Sequence, residues 1–235
     1  MPRENALPIV SGKEARSVPI YSSSVGQKVL VGLTGLFLCT FLVVHLSGNT
    51  LLFKQDGGKA FNTYSEFMAT NTVIRTLEIV LAAGFLIHMI FGVSTWIGNR
   101  LSRTKRYMVN RASENSAFSS RITFITGSVV FIFLVVHLRS FFVPSRFATG
   151  PAPSMYDLVR TAFYNPIYDG FYVIAMALLG YHLRHGFQSA FQTFGLRPGH
   201  EKLIDWVAVV FWLLIPIGYA VMPLYFLWVH FKGVR

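Results

Sequence analysis

The hexapeptide FLVVHL occupies Phe41 to Leu46 and returns at Phe133 to Leu138, 92 residues later. Eleven residues before each of its histidines, His45 and His137, stands a Thr-Gly pair, Thr34-Gly35 and Thr126-Gly127. A second pattern, His-x3-Gly, occurs at His88/Gly92 and His182/Gly186, 94 residues apart, and nowhere else in the chain. The arrangement reads as two copies of a helix pair, with one intramembrane histidine on each helix. Four such histidines can make two bis-histidine metal sites.

Composition sets the surroundings. Of 235 residues, 53% are apolar and only 13% charged. Five stretches have the ~20 apolar residues that a bilayer crossing requires: about 27–50, 72–99, 119–143, 166–193 and 203–231, helices I to V. The expected fold is all-α, a single integral membrane domain over 1–235: a five-helix transmembrane bundle with an internal two-helix repeat, preceded by a polar segment at 1–26. That segment lacks the apolar core of a signal peptide, so no cleavage is expected. Ser22-Ser23-Ser24 can cap helix I, and Asp56-Gly57-Gly58 marks a turn. Phe61 to Met68 fits a short interfacial helix. The proline-rich stretch 144–166 is expected to be irregular, and helix V, outside the repeat, to bend at Pro216 and Pro223.

The net charge of +11 does not signal nucleic acid, because the basic residues follow topology. Arg100, Arg103, Lys105, Arg106 and Arg111 share one loop, and Arg197 and Lys202 another. With Lys13, Arg16 and Lys28 they lie on one side of alternating helices, whereas the opposite loops are nearly balanced. The positive-inside rule then puts the N-terminus in the cytoplasm. Cys39, the only cysteine, excludes an internal disulfide, c-type haem attachment and a cysteine-ligated cluster. It reads as a packing residue.

Rise per residue sorts the histidines by depth. His45 and His137 each lie about 25 Å from the inner ends of helices I and III, at ~1.5 Å per residue. His88 and His182 lie about 22 Å from the outer ends of helices II and IV. The expected pairs are therefore His45 with His137 near the outer face and His88 with His182 nearer the inner, about 15 Å apart in a ~30 Å core. Two imidazoles on a haem iron leave no open coordination position, which suits electron transfer. Gly92 and Gly186, one turn past the inner histidines, and Gly35 and Gly127, at the inner level, would leave room for a flat macrocycle. A lone intramembrane histidine can simply bond a carbonyl, but ionisable groups in lipid are rare and usually functional. Zinc sites are more compact, and a non-redox transporter, also built of repeats, has no evident use for two matched pairs. His185, three residues past His182, is a rival ligand or a group for the inner haem propionates or the interface. His200 and His230 read as solvated or interfacial.

Along most of residues 22–195 the chain resembles the cytochrome b membrane anchor of succinate dehydrogenase and fumarate reductase, in the class with one five-helix polypeptide and two haems. The stretches that carry the likeness are SSSVGQKVLVGLTGLFL (22–38), FLVVHLSGN (41–49), DGGKAFNTYSEFMATN (56–71), the helix II histidine region and YHLRHGFQSAFQTFG (181–195). The resemblance implies a distal haem b on His45 and His137 and a proximal haem b on His88 and His182, with His182 rather than His185 as ligand. It implies a flavoprotein subunit for the dicarboxylate chemistry and an iron–sulfur subunit docking on the N-terminal segment and the loops 100–118 and 195–202. The setting is the bacterial cytoplasmic membrane and the electron partner menaquinone or another quinone. Quinone chemistry also moves protons, so Glu66, Glu78 and Arg75 near the outer haem are candidates, with Glu66 the expected proton acceptor. An Arg75–Glu78 pair that merely satisfies both charges is the competing reading. Gly180 offers no carboxylate beside the helix IV ligand, which puts charge compensation there in doubt. The alternative function is a diheme anchor of another quinone-linked dehydrogenase or reductase.

Overall fold

The computed structural model describes residues 19, 21–101, 118–147 and 154–233, and every regular element among them is helical. The segment 1–18 and the basic stretch 102–117, both expected in a docking surface, lie outside the described residues. Helix α1 (Ser24–Asn49) begins where the Ser23 hydroxyl accepts the Gly26 N–H at 2.9 Å, and it ends in a 3-10 turn, Thr50–Phe53. Asp56 then accepts from the N–H groups of Gly58 and Ala60 at 3.0 and 2.9 Å. Gly58, at φ +84°, turns the chain into α2 (Lys59–Thr70), the expected short helix. Asn71 caps α3 (Thr72–Leu101) by accepting from Val73 and Ile74.

Helix α4 (Phe118–His137) passes through a π turn, Leu138–Phe142, into Val143–Phe147. Helix α5 (Met155–Ala162) follows, capped by Ser154. Asn165 and Pro166 open α6 (Pro166–Thr193), proline taking the first-turn position where its missing N–H is harmless. Helix α7 runs Glu201–Val209, a π turn at Val210–Leu214, then Ile215–Lys232. The end holding Ser24, Leu101 and Thr193 is called the lower end, and the end covered by α2 and α5 the upper. The upper connections are tied together, since Asn62 Oδ1 accepts the Tyr156 N–H at 2.9 Å and Asn62 Nδ2 donates to Ser154 Oγ at 3.1 Å.

The stretch 144–166 is therefore not irregular throughout: α4 continues past Pro144, and α5 fills 155–162. A π turn bonds an N–H to the carbonyl five residues back, so a carbonyl skipped by a following proline can be met by the next N–H. Here the Val143 N–H bonds the Leu138 carbonyl just before Pro144. The same device precedes Pro216 in α7.

Among the described residues four helices are long and apolar enough to cross a membrane: Ser24–Phe53, Thr72–Leu101, Ile122–Phe147 and Glu201–Lys232. The stretch 166–193, expected as a further crossing, forms the 28-residue helix α6, which is not among these four and is more polar, carrying Asp169, Arg184, His182 and His185. Its position explains this. It packs against α1, α4 and α7 and buries Ala175, Met176, Leu179, Leu183 and Phe187 in a core that also holds Cys39 and Ala208. A second core gathers Phe141, Phe163, Tyr172 and Phe226 beneath the upper cap. Outward faces are apolar instead: Ile79 on α3 is 72% exposed and Trp206 on α7 75%, as suits contact with lipid.

Small residues stand where elements approach, since in lipid association depends on close packing. A Cβ at Gly48 would lie 2.5 Å from the Tyr64 hydroxyl, so α2 rests directly on the end of α1. A Cβ at Gly180 would lie 2.6 Å from the Trp212 carbonyl. That carbonyl is the one Pro216, four residues on, cannot bond with an N–H. It lies against the bare backbone of α6.

Candidate functional site

Each histidine sits on a different long helix, and the four meet in two pairs. His45 of α1 and His137 of α4 have ring centroids 5.9 Å apart with planes at 89°. His88 of α3 and His182 of α6 have centroids 6.3 Å apart at 77°. These are the pairs given by depth, the first toward the upper end and the second toward the lower. All four rings are half-buried. Imidazoles on opposite sides of one iron, each nitrogen about 2 Å from it, hold their centroids roughly 6 Å apart, so both pairs fit bis-histidine iron. Among the described residues no group of three or more His, Cys, Asp or Glu forms a metal-ion cage. A haem, which brings its own ring nitrogens, would need only two donors from the protein, and each histidine pair could supply them.

The ring nitrogens are oriented by neighbours. His88 Nδ1 lies 3.2 Å from the Val31 carbonyl and 3.2 Å from Thr34 Oγ1. A carbonyl can only accept, so Nδ1 carries the proton and Nε2 keeps its lone pair for a metal. His182 approaches the Thr123 carbonyl, but its buried Nδ1 has no partner at ordinary hydrogen-bond geometry. In the upper pair, His137 Nδ1 lies 3.3 Å from the Tyr172 hydroxyl, itself 2.9 Å from that of Tyr168. Phe41 stacks on His45 at 5.2 Å, and Phe133 and Phe141 flank His137.

The glycines divide by role. Cβ atoms at Gly35 and Gly127 would each lie 3.2 Å from Cε1 of an imidazole, His88 and His182 respectively. These two are at the expected level, and what lies against them is an imidazole ring. Gly92 and Gly186 face open space, with nothing within 4 Å of a Cβ built there. His185 is half-buried, and the ring that meets His88 is that of His182. His200 is exposed, and His230, also exposed, stacks on Tyr164 at 4.2 Å.

At the upper end Arg75 and Glu78 form the anticipated pair at 3.3 Å. The shorter contact, however, is from Arg146 Nη2 to Glu78 at 2.7 Å. Arg146 also donates to the Ala69 carbonyl at 3.0 Å, joining α4 to the start of α3 and the end of α2. Glu66 lies on α2 with its side chain exposed. Sequence reasoning missed Arg146, the two tyrosines beside His137 and Asp169. The last is 2% exposed, and neither carboxyl oxygen has a hydrogen-bond partner. Asp169 is legible as the one acid within α6. Outside the spans, burial pushes the Tyr64 phenol up.

No family model, no curated protein and no solved structure matches this chain. The residues themselves carry the reading. They describe a helical membrane protein with two facing histidine pairs.

Proposed function

We propose that this chain is the five-span membrane-anchor cytochrome b of a succinate:quinone oxidoreductase, built on an internally duplicated helix pair (α1–α3 and α4–α6). It lies in a bacterial cytoplasmic membrane with its lower end and N-terminus in the cytoplasm. It holds two haems b and connects an iron–sulfur subunit, served by a flavoprotein subunit, with menaquinone or another quinone. The observation that carries the reading is the meeting of two imidazole pairs at 5.9 and 6.3 Å. When bound, the haems supply one-electron chemistry at two depths.

The chain's residues do the holding. His45 and His137 clamp the upper site, and His88 and His182 the lower. Val31 keeps the proton of His88 on Nδ1, away from the nitrogen a metal takes. Aromatic rings around His137 exclude water from the upper site. Glu78 is committed to Arg75 and Arg146, which leaves the exposed Glu66 as the carboxylate open to proton exchange with quinone.

The test is a haem assay on the purified chain, with His45→Ala and His88→Ala. Two haems b in the parent and one lost with each substitution are expected. A colourless parent, or variants that keep both haems, would overturn the reading. Co-purification with a flavoprotein and an iron–sulfur protein that together reduce quinone with succinate distinguishes this anchor from that of another dehydrogenase.

A further inference from the structure

The Thr-Gly pair repeated eleven residues before His45 and His137 takes no part in ligation, yet it lies against the other two histidines. We infer that Thr34-Gly35 is a seat for the His88 imidazole in which Thr34 is a positioning residue. We also infer that Thr126-Gly127 seats the His182 ring without the matching hydrogen bond, so that the lower pair is chemically unequal. The inference rests on the proposed haem ligation and adds a residue to it.

Glycine makes the seat possible. At Gly35 and Gly127 a methyl group would come within 3.2 Å of the facing Cε1, so the imidazole lies directly on bare helix backbone. Threonine completes only one copy. Thr34 Oγ1 lies 2.7 Å from the Leu30 carbonyl and 3.2 Å from that of Val31, so its hydrogen is used within α1. Its lone pair is then turned to His88 Nδ1 at 3.2 Å. The Nδ1 proton is thereby shared between the Val31 carbonyl and the Thr34 hydroxyl.

In the second copy Thr126 donates to the Thr123 carbonyl at 3.0 Å, the same carbonyl that His182 approaches. The Val31 carbonyl is shared in the same way in the first copy, so the difference lies in Thr126, which has no contact to His182 matching that of Thr34 to His88, and in His182 Nδ1, which lacks a partner of ordinary geometry. Back-bonding of threonine to its own helix is ordinary, and Thr40 does it as well. What sets Thr34 apart is the third contact, to a side chain 54 residues away. A partner on the far nitrogen raises the basicity of a metal-bound imidazole and fixes its orientation, and losing one costs about 10- to 100-fold in metal affinity.

The experiment compares Thr34→Val, Thr34→Ser and Thr126→Val in the haem-loaded chain, reading haem retention, the low-spin electron paramagnetic resonance signals and the midpoint potential of each haem. Thr34→Val should weaken retention of the lower haem about tenfold and raise its potential, leaving the upper haem, the control for folding, unmoved. Thr34→Ser should restore the parent values, and Thr126→Val should leave the lower potential where it was. A Thr34→Val protein with both signals and potentials unchanged overturns the inference. So does a Thr34→Ser protein that behaves like the valine variant or loses both haems, which would mean a packing role alone. An equal shift with Thr126→Val overturns the claimed inequality. A parent chain without two bis-histidine haems refutes the functional proposal instead.

Discussion

At the scale of single residues, the most informative side chain is one the sequence concealed. Arg146 is 15% exposed, bonds Glu78 at 2.7 Å and reaches the Ala69 carbonyl at 3.0 Å. Arg146→Met should therefore cost about 1–3 kcal/mol, measured as thermal unfolding in detergent. In a double-mutant cycle with Glu78→Gln the double variant should lose less than the sum of the single losses, and strict additivity would refute the pairing. Gly180→Ala, whose new methyl meets the Trp212 carbonyl at 2.6 Å, should cost about 1–3 kcal/mol by overpacking in the same assay. Gly186→Leu faces open space and should leave the melting of the haem-free chain nearly unchanged while abolishing the lower haem. Joint loss of haem and fold would show that Gly186 is packed after all. The four histidines were legible because repetition and rise per residue give depth without knowledge of neighbours. Thr34 and Tyr172 were not, because which side chain meets which imidazole depends on how each helix is rotated about its axis, and depth says nothing of that.

At the scale of elements, apolar run lengths located the long helices closely, as with α3 at Thr72–Leu101 against an expected 72–99. The interruptions were misread. Composition ends the span near 143, before Pro144, whereas the π turn Leu138–Phe142 lets the helix run on to Phe147. Such a turn depends on hydrogen-bond bookkeeping across several residues and leaves no compositional trace. It also aims Arg146. Deleting Ser140 should return the segment to α geometry and rotate everything beyond it by about 100°, carrying Arg146 away from Glu78. The Arg146–Glu78 coupling should then vanish in the deletion background while far-ultraviolet circular dichroism remains helical. Persistence of the coupling would mean that the π turn does not set the register.

At the scale of the whole molecule, α6 is the helix on which α1, α4 and α7 all pack, and its burial lets it carry polar groups within its length. The proposed sidedness can be read with cysteine probes, because the native Cys39 is buried in the core. Gln55→Cys at the upper end and Lys202→Cys at the lower are both exposed positions. In intact cells a membrane-impermeant maleimide should label the first and spare the second, with the reverse in inverted vesicles. Labelling of both from one side would refute the topology. The junction of α6 and α7 also bears on descent. With the Trp212 carbonyl against position 180, any side chain installed there must displace a backbone oxygen. A descendant that gained a carboxylate at 180 would therefore also have to move α7 against α6, so the two changes are tied by packing.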